Sequence, residues 1–327
     1  MKTNMDYSKA ADWIIGEKAF DSRLLGKCES IMCLGNGYFC IRSAAEERYV
    51  REKRDCFVAG TFNKFDENEV TELPNAADLM AMDLELNGQP FTLEQGEIKF
   101  YYRQLNLKTG ELTRTVDWLS PDGDEYRFVF ERIVSMKEKH VAAQRISVTP
   151  VTRDTDFLMI TGIDGSMNNS GVQHFSEGDK RFYEGKIMQA CQTTTQSGIG
   201  FVLTAQASFT LNKEAYTPKQ HIAMERRKIF CEYQGTVPAG KTLVMEKVGN
   251  IYTTRDREME KRSLKELQEY ARTALEKSSE KGYKALAAES AAMWKERVWD
   301  KTPILIDCED PMDQLAIRFA QYHLYVM

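Results

Sequence analysis

Long apolar runs are missing from this chain. No stretch is both apolar enough and long enough to cross a bilayer, and the opening Met-Lys-Thr-Asn-Met-Asp-Tyr-Ser lacks the apolar core of a secretion signal. A cytoplasmic protein is predicted. A large excess of charge is missing too: 44 Lys and Arg against 49 Asp and Glu leave a formal net charge of -5. That balance gives no electrostatic reason to bind nucleic acid or an anionic membrane, and it favours a neutral ligand or a protein partner. Histidine is scarce, with 4 residues, and the 7 cysteines include no Cys-x-x-Cys pair and no histidine at zinc spacing. They read as reduced core thiols, so no metal is expected. Cys33 and Cys40 could bridge across a hairpin if oxidised, a state that a reducing cytosol would not maintain.

What is present is a long series of short strands. With 327 residues the chain can bury a sizeable core. Met82-Asp-Leu-Glu-Leu alternates with period two and runs into Asn87-Gly88, a strong two-residue hairpin signal. Strands over 98–107, 111–119 and from Tyr126 follow, separated by Lys108-Thr-Gly110 and Pro121-Asp-Gly-Asp124. Segments 141–148, 157–161, 185–195, 200–210, 226–233 and 242–252 extend the series, which predicts two packed antiparallel sheets over 1–254. From 255 to 302 the chain is rich in Glu, Lys, Arg, Ala and Leu. It reads as a helical linker jointed at Gly282, with Leu286, Met293, Trp294, Val298 and Trp299 on one apolar stripe. Asp310-Pro311 then opens another helix, capped by the aspartate. Its Leu315, Phe319, Tyr322 and Val326 form an apolar face, expected to be exposed, frayed, folded back or buried between copies, with self-association or disorder at the C-terminus.

Near the N-terminus, Glu29-Ser-Ile-Met-Cys-Leu-Gly-Asn-Gly-Tyr-Phe-Cys-Ile-Arg42 reads as two apolar arms, Ile31–Leu34 and Tyr38–Ile41, joined by a Gly-Asn-Gly turn. This string resembles the opening motif of glycoside hydrolase family 65, the maltose, kojibiose, nigerose and trehalose phosphorylases. Four further segments resemble the family's N-terminal half in the same order: Gly60-Thr-Phe, Glu69-Val-Thr-Glu-Leu-Pro-Asn75, Arg103-Gln-Leu-Asn-Leu-Lys-Thr-Gly-Glu-Leu-Thr-Arg114 and Leu315-Ala-Ile-Arg-Phe-Ala-Gln-Tyr-His-Leu-Tyr325. The resemblance implies a galactose mutarotase-like super-sandwich over 1–254, and a start at 303–327 of the family's catalytic (α/α)6 barrel, with the rest of that barrel absent. It also implies a parent that converts an α-linked glucosyl disaccharide and phosphate to β-glucose 1-phosphate and a free sugar, with inversion and without an organic cofactor. A homo-oligomer is a further possibility. A stand-alone carbohydrate-binding or scaffolding sandwich, and a trehalose-type hydrolase as parent, are the alternatives.

The candidate chemistry inside the chain is thin. An inverting phosphorylase needs one protein carboxyl as proton donor, because phosphate is itself the nucleophile. The resemblance assigns that glutamate to the absent barrel, so no catalytic residue is expected in this chain. Glu67, Glu69 and Glu72, and the pair Asp83 and Glu85, read as solvent-facing charges, as does the run from Glu46 to Asp55. Gly162-Ile-Asp-Gly165 reads as a turn rather than a phosphate loop, and His140, His174 and His221 as surface or structural residues. Phe319, His323 and Tyr325 are the candidate substrate-adjacent residues, since the resemblance places their segment at the opening of the barrel.

Overall fold

The computed structural model describes residues 4–260 and 262–326. Antiparallel pairing dominates it. The largest sheet has 11 strands, in which Glu97–Asn106, Glu111–Leu119, Glu125–Val134 and Val141–Pro150 follow one another as a meander and continue into Leu243–Thr253, Gly200–Leu211, Ile187–Thr194 and Phe175–Tyr183. A 5-stranded sheet, ordered Lys219–Glu225, Lys228–Val237, Thr155–Asp164, Met82–Leu86 and Gln89–Pro90, packs against one face of it. The expected hairpin at Asn87-Gly88 forms with both residues at positive φ, 51° and 76°. A third sheet of 3 short strands, Leu34–Gly35, Phe39–Ile41 and Cys56–Val58, completes the β structure.

The sandwich core lies between the two larger sheets, where Phe128, Phe130 and Trp118 of one meet Leu84, Met159 and Tyr233 of the other. Ile187–Thr194 is buried at nearly every position because its second face is covered by a helix, which explains why this strand does not alternate. That helix, α2, spans Leu264–Trp294 and starts on a capping box made by Ser263 and Glu266. Leu267, Ala271, Leu275, Tyr283 and Leu286 seat it on the outer face of the large sheet. Gly282 breaks it as expected, at φ 72° and ψ 166°, and the Glu246 carboxylate caps the second half by accepting from the Tyr283 N–H at 2.9 Å. The linker stripe is divided: Leu286 serves the outer face, while Met293, Trp294, Val298 and Trp299 join the main core.

Two expectations need correction, and a third is narrowed. Ile31 is not in a strand. Residues Leu25–Ile31 form a short helix, α1, and the hairpin is confined to Leu34–Gly35 and Phe39–Ile41. Gly162 and Asp164 lie in the Thr155–Asp164 strand, not in a turn, with Gly162 against the Ile229–Phe230 backbone of its neighbour. The terminal helix, α3 (Pro311–Val326), leaves its stripe neither exposed nor frayed: Leu315, Tyr322 and Val326 are buried and Phe319 is half-buried. The Tyr322 ring stacks on Trp294 at 4.9 Å, and its hydroxyl donates to the Cys33 carbonyl at 3.1 Å. The stripe is covered by the chain's own hairpin and linker, which is the folded-back outcome among those expected.

Candidate functional site

The Gly35–Gly37 hairpin organises the region where the described candidates meet. Asn36 ties it down with every polar atom in use. Its Oδ1 accepts from the Tyr38 and Phe39 N–H groups at 3.0 and 3.2 Å, and its Nδ2 donates to the carbonyls of Ser135 and Lys139 at 2.7 and 2.9 Å. Gly37 supplies the positive φ, 79°. Gly35 is glycine for a different reason: a Cβ there would collide with the Val326 carbonyl oxygen of α3. Tyr38 reaches Asp256, donating to its carboxylate at 2.9 Å, and its ring lies edge-on to His140 at 4.3 Å. Arg42 donates to the Gly26 carbonyl at 2.7 Å and lies 3.6 Å from both Glu29 and Asp55. The motif is therefore a structural knot joining α1, α3, the large sheet and the start of the linker.

His323 and Phe319 come together beneath this hairpin. Their rings are 4.0 Å apart, and His323 Nδ1 lies 3.0 Å from the Phe319 carbonyl, one helical turn back. The His323 Nε2 is buried without a hydrogen-bond partner, and Cys33 is close enough to act on it electrostatically. Burial lowers the affinity of His323 for a proton, but Cys33 outweighs it and the pKa is raised. Tyr325 is half-buried at the same corner, with its carbonyl near Gly37. Cys33, Cys40, Arg42, Phe57, Leu73 and Val326 line an adjacent, mainly apolar cavity of about 390 Å³. Asp55 and Phe57 form its shared wall with a polar cleft of about 640 Å³, which also presents Arg48, Lys53, Asn75 and Asn168.

The Glu46–Asp55 run is only partly solvated: Arg48, Arg51 and Lys53 are exposed, but its glutamates turn inward. Glu46 and Glu47 are both 3% exposed. Glu46 pairs with Arg132 at 2.5 Å and with Arg114 at 2.7 Å, and Glu47 with Arg114. Burial alone would raise the Glu46 pKa, yet the two guanidinium groups overcome it and bring it down to about 2. Arg103 and Glu17 make a second buried pair at 2.7 Å, and Arg54 binds Glu52 at 2.7 Å and Asp78 at 3.3 Å. The signal was in the strands: Arg103, Arg114 and Arg132 occupy inward registers among Tyr101, Val116 and Phe130, where only a partnered charge can be buried. Glu17, Glu46 and Glu47 are thus occupied as counter-ions. Glu67 and Glu69 are exposed as expected, whereas Glu72 accepts from the buried His174 at 2.9 Å. His140 is also internal, stacked on Tyr252 at 3.9 Å and 2.8 Å from Glu258. Among the described residues no group of three or more His, Cys, Asp or Glu is arranged to hold a metal ion.

Residues 15–297 match the family model described as glycosyl hydrolase family 65, N-terminal domain. The chain belongs to glycosyl hydrolase family 65. It is 40% identical to the kojibiose phosphorylase of Halothermothrix orenii over 99% of this chain and 41% of that one, and 30% identical to the kojibiose phosphorylase of Escherichia coli K12 over 96% and 40%. It is 25% identical to the α,α-trehalose phosphorylase of Thermoanaerobacter brockii over 99% and 44%. A solved structure of a candidate kojibiose phosphorylase from the human microbiome superposes with a TM-score of 0.87 at 18% identity, over 99% of this chain and 42% of that one, which establishes the shared fold. The family 65 chain described here spans about two fifths of the length of these relatives.

Proposed function

We propose that this chain is the non-catalytic N-terminal part of an inverting disaccharide phosphorylase, whose substrates are an α-glucosyl disaccharide of the kojibiose type and inorganic phosphate. The observation that carries the reading is the 40% identity to a kojibiose phosphorylase across nearly the whole chain. The products would be β-glucose 1-phosphate and a free sugar. One glutamic acid in the remainder of the parent would protonate the leaving oxygen while phosphate attacks the opposite face of an oxocarbenium-like centre. No organic cofactor enters this chemistry. Glu17, Glu46 and Glu47 are held by arginines, which supports a supporting role rather than an acid–base one for these three.

In this reading the sandwich and the 255–302 linker hold the barrel, and Phe319, His323 and Tyr325 stand near its opening. The parent works in the cytoplasm, where phosphate and sugar phosphates are handled. No helix among the described residues is long and apolar enough to cross a membrane, in keeping with that placement. The test has two arms. The 327-residue chain, incubated with kojibiose, maltose, nigerose or trehalose and phosphate, is expected to yield no glucose 1-phosphate above a buffer control. The full-length parent is expected to consume kojibiose only when phosphate is supplied. Turnover by the short chain would overturn the non-catalytic assignment, and phosphate-independent release of glucose by the parent would make it a hydrolase.

A further inference from the structure

We infer that a cleft on the outer face of the 5-stranded sheet is a non-catalytic pyranose site, which seats one hexose ring against Phe230 and holds two neighbouring hydroxyls between Asp83 and Arg48. The cleft measures about 250 Å³ and opens beside the Thr155–Asp164 strand. That is below the roughly 300 Å³ at which pockets for drug-sized ligands begin, and it suits a single sugar ring.

The floor follows from the alternation of three neighbouring strands. Leu84, Met159 and Tyr233 turn into the sandwich core, so Asp83, Ile160, Gly162 and Phe230 face outward. Gly162 pairs directly with Phe230, and Ile160 with Asp83. Only glycine fits at 162, because a Cβ there would run into the Ile229 carbonyl oxygen and the Phe230 Cβ. Bare backbone therefore lies beside the half-buried Phe230, where another residue would raise a side chain. The floor is also pinned from behind. The buried Lys247 Nζ donates to Thr161 Oγ1 at 2.9 Å and to the Gly162 carbonyl at 2.6 Å, and the Thr161 hydroxyl donates to the Ala81 carbonyl at 3.0 Å. A ligand meets a surface that is already set.

The rim supplies both halves of a hydrogen-bond match. Asp164 accepts from Arg48 at 2.9 Å and lies 3.3 Å from Lys228, which fixes both cations at the mouth. Among the described residues, Arg48 Nε and Nη1 and the exposed Asp83 carboxylate enter no hydrogen bond. Arg48 Nε lies 4.0 Å from Asp83, so a free donor and a free acceptor stand side by side, as adjacent sugar hydroxyls require. A pyranose also has an apolar C–H face, which an aromatic ring can cover. An anion is disfavoured, because Arg48 and Lys228 are outnumbered around the cleft by Asp78, Asp83, Asp164 and Glu225. The charge balance thus selects a neutral polyol over a sugar phosphate.

Saturation-transfer NMR on the native 327-residue chain tests this with methyl α-glucoside as the probe. Roughly millimolar affinity is expected, as about a dozen non-hydrogen atoms on an open surface allow; no transfer from the native chain would overturn the proposal. Asp83→Ala and Phe230→Leu should each weaken binding roughly tenfold. Glu85→Ala, two residues along the same strand face and outside the cleft, should leave it unchanged. Equal weakening in all three variants, or in none, would place the sugar elsewhere and reject the site. Asp83 is exposed, so its variant decides the matter even where Phe230→Leu fails to fold. Inorganic phosphate should not displace the glucoside, and displacement would turn the cleft into an anion site against this inference. No turnover is read in these measurements, so their outcome is separate from whether the parent is a phosphorylase.

Discussion

The Glu111–Leu119 strand carries two kinds of interior. At one end Trp118 packs edge-on to Phe91 at 5.3 Å, and Phe91 lies 4.3 Å from Phe128, so the interior is aromatic and its one polar group, the Trp118 indole N–H, donates to the nearby Gln95 carbonyl at 2.8 Å. Four residues earlier on the same face, Arg114 lies over the Phe130 ring at 4.0 Å and is neutralised by Glu46 and Glu47. The aromatic end could be assembled from neighbouring strands alone. The ionic end cannot: it requires a loop some 70 residues away in sequence to deliver two carboxylates into the gap. Burying charge therefore fixes where that loop sits, whereas burying rings fixes only how tightly the sheets meet.

The largest expected effect breaks the ionic end. Glu46→Ala leaves Arg132 without its carboxylate and Arg114 with one, and should cost on the order of 3–5 kcal/mol in chemical denaturation at neutral pH. The Glu46 pKa in the folded chain, about 2, lies below its ordinary value of 4.5. Its contribution is thus complete above pH 4.5 and is lost as pH falls toward 2, so wild type should converge on the variant in acid. A variant that matches wild type at pH 7 would show the seam to be energetically idle.

Lys247 sharpens the comparison from the opposite side, because it is a buried cation whose hydrogen bonds go to neutral acceptors, Thr161 Oγ1 at 2.9 Å and the Gly162 carbonyl at 2.6 Å. Burial brings its pKa down from 10.5 to about 7. The unfolded chain therefore holds a proton that the folded chain gives up between pH 7 and 10.5. The resulting cost is complete below pH 7 and disappears as pH rises through 10.5. Lys247→Met should stabilise the protein by roughly 2–3 kcal/mol at pH 7, with the gain shrinking toward pH 10. Parallel stability curves for variant and wild type over that range would contradict this account.

Phe128→Leu probes the aromatic end, with an expected loss of about 1–2 kcal/mol that does not vary between pH 4 and 8. A loss that tracked pH would mean the two ends are coupled through Arg114. The smallest effect belongs to an exposed polar device: Ser263→Ala removes the cap at the start of α2 and should cost about 1 kcal/mol, measurable as a shift in the denaturation midpoint. A loss as large as that of Glu46→Ala would mean that exposure does not discount polar contacts here.

Sequence reading recovered the strands whose ends are turns, since Asn87-Gly88, Lys108-Thr-Gly110 and Pro121-Asp-Gly-Asp124 carry their geometry locally. It missed Phe175–Tyr183 and Lys219–Glu225, strands at sheet margins whose exposed Ser-Glu-Gly-Asp and Lys-Gln-His stretches show no alternation. The Glu46–Asp55 run was misread because local charge density looks the same whether the partner is water or a distant arginine. At the candidate site, the helix carrying His323 was legible from its period. Its meeting with Cys33 was not, because no local pattern relates positions 290 residues apart.

That separation has a consequence for biosynthesis. The Cys33 carbonyl waits for the Tyr322 hydroxyl, 289 positions later in the chain. At about 5–20 residues per second, the ribosome needs roughly 15–60 s to deliver the partner after the hairpin has been made. For that interval the nascent hairpin stands without its helix, with Gly35 bare where Val326 will rest. A hairpin made 289 positions before its partner is among the last elements to finish folding.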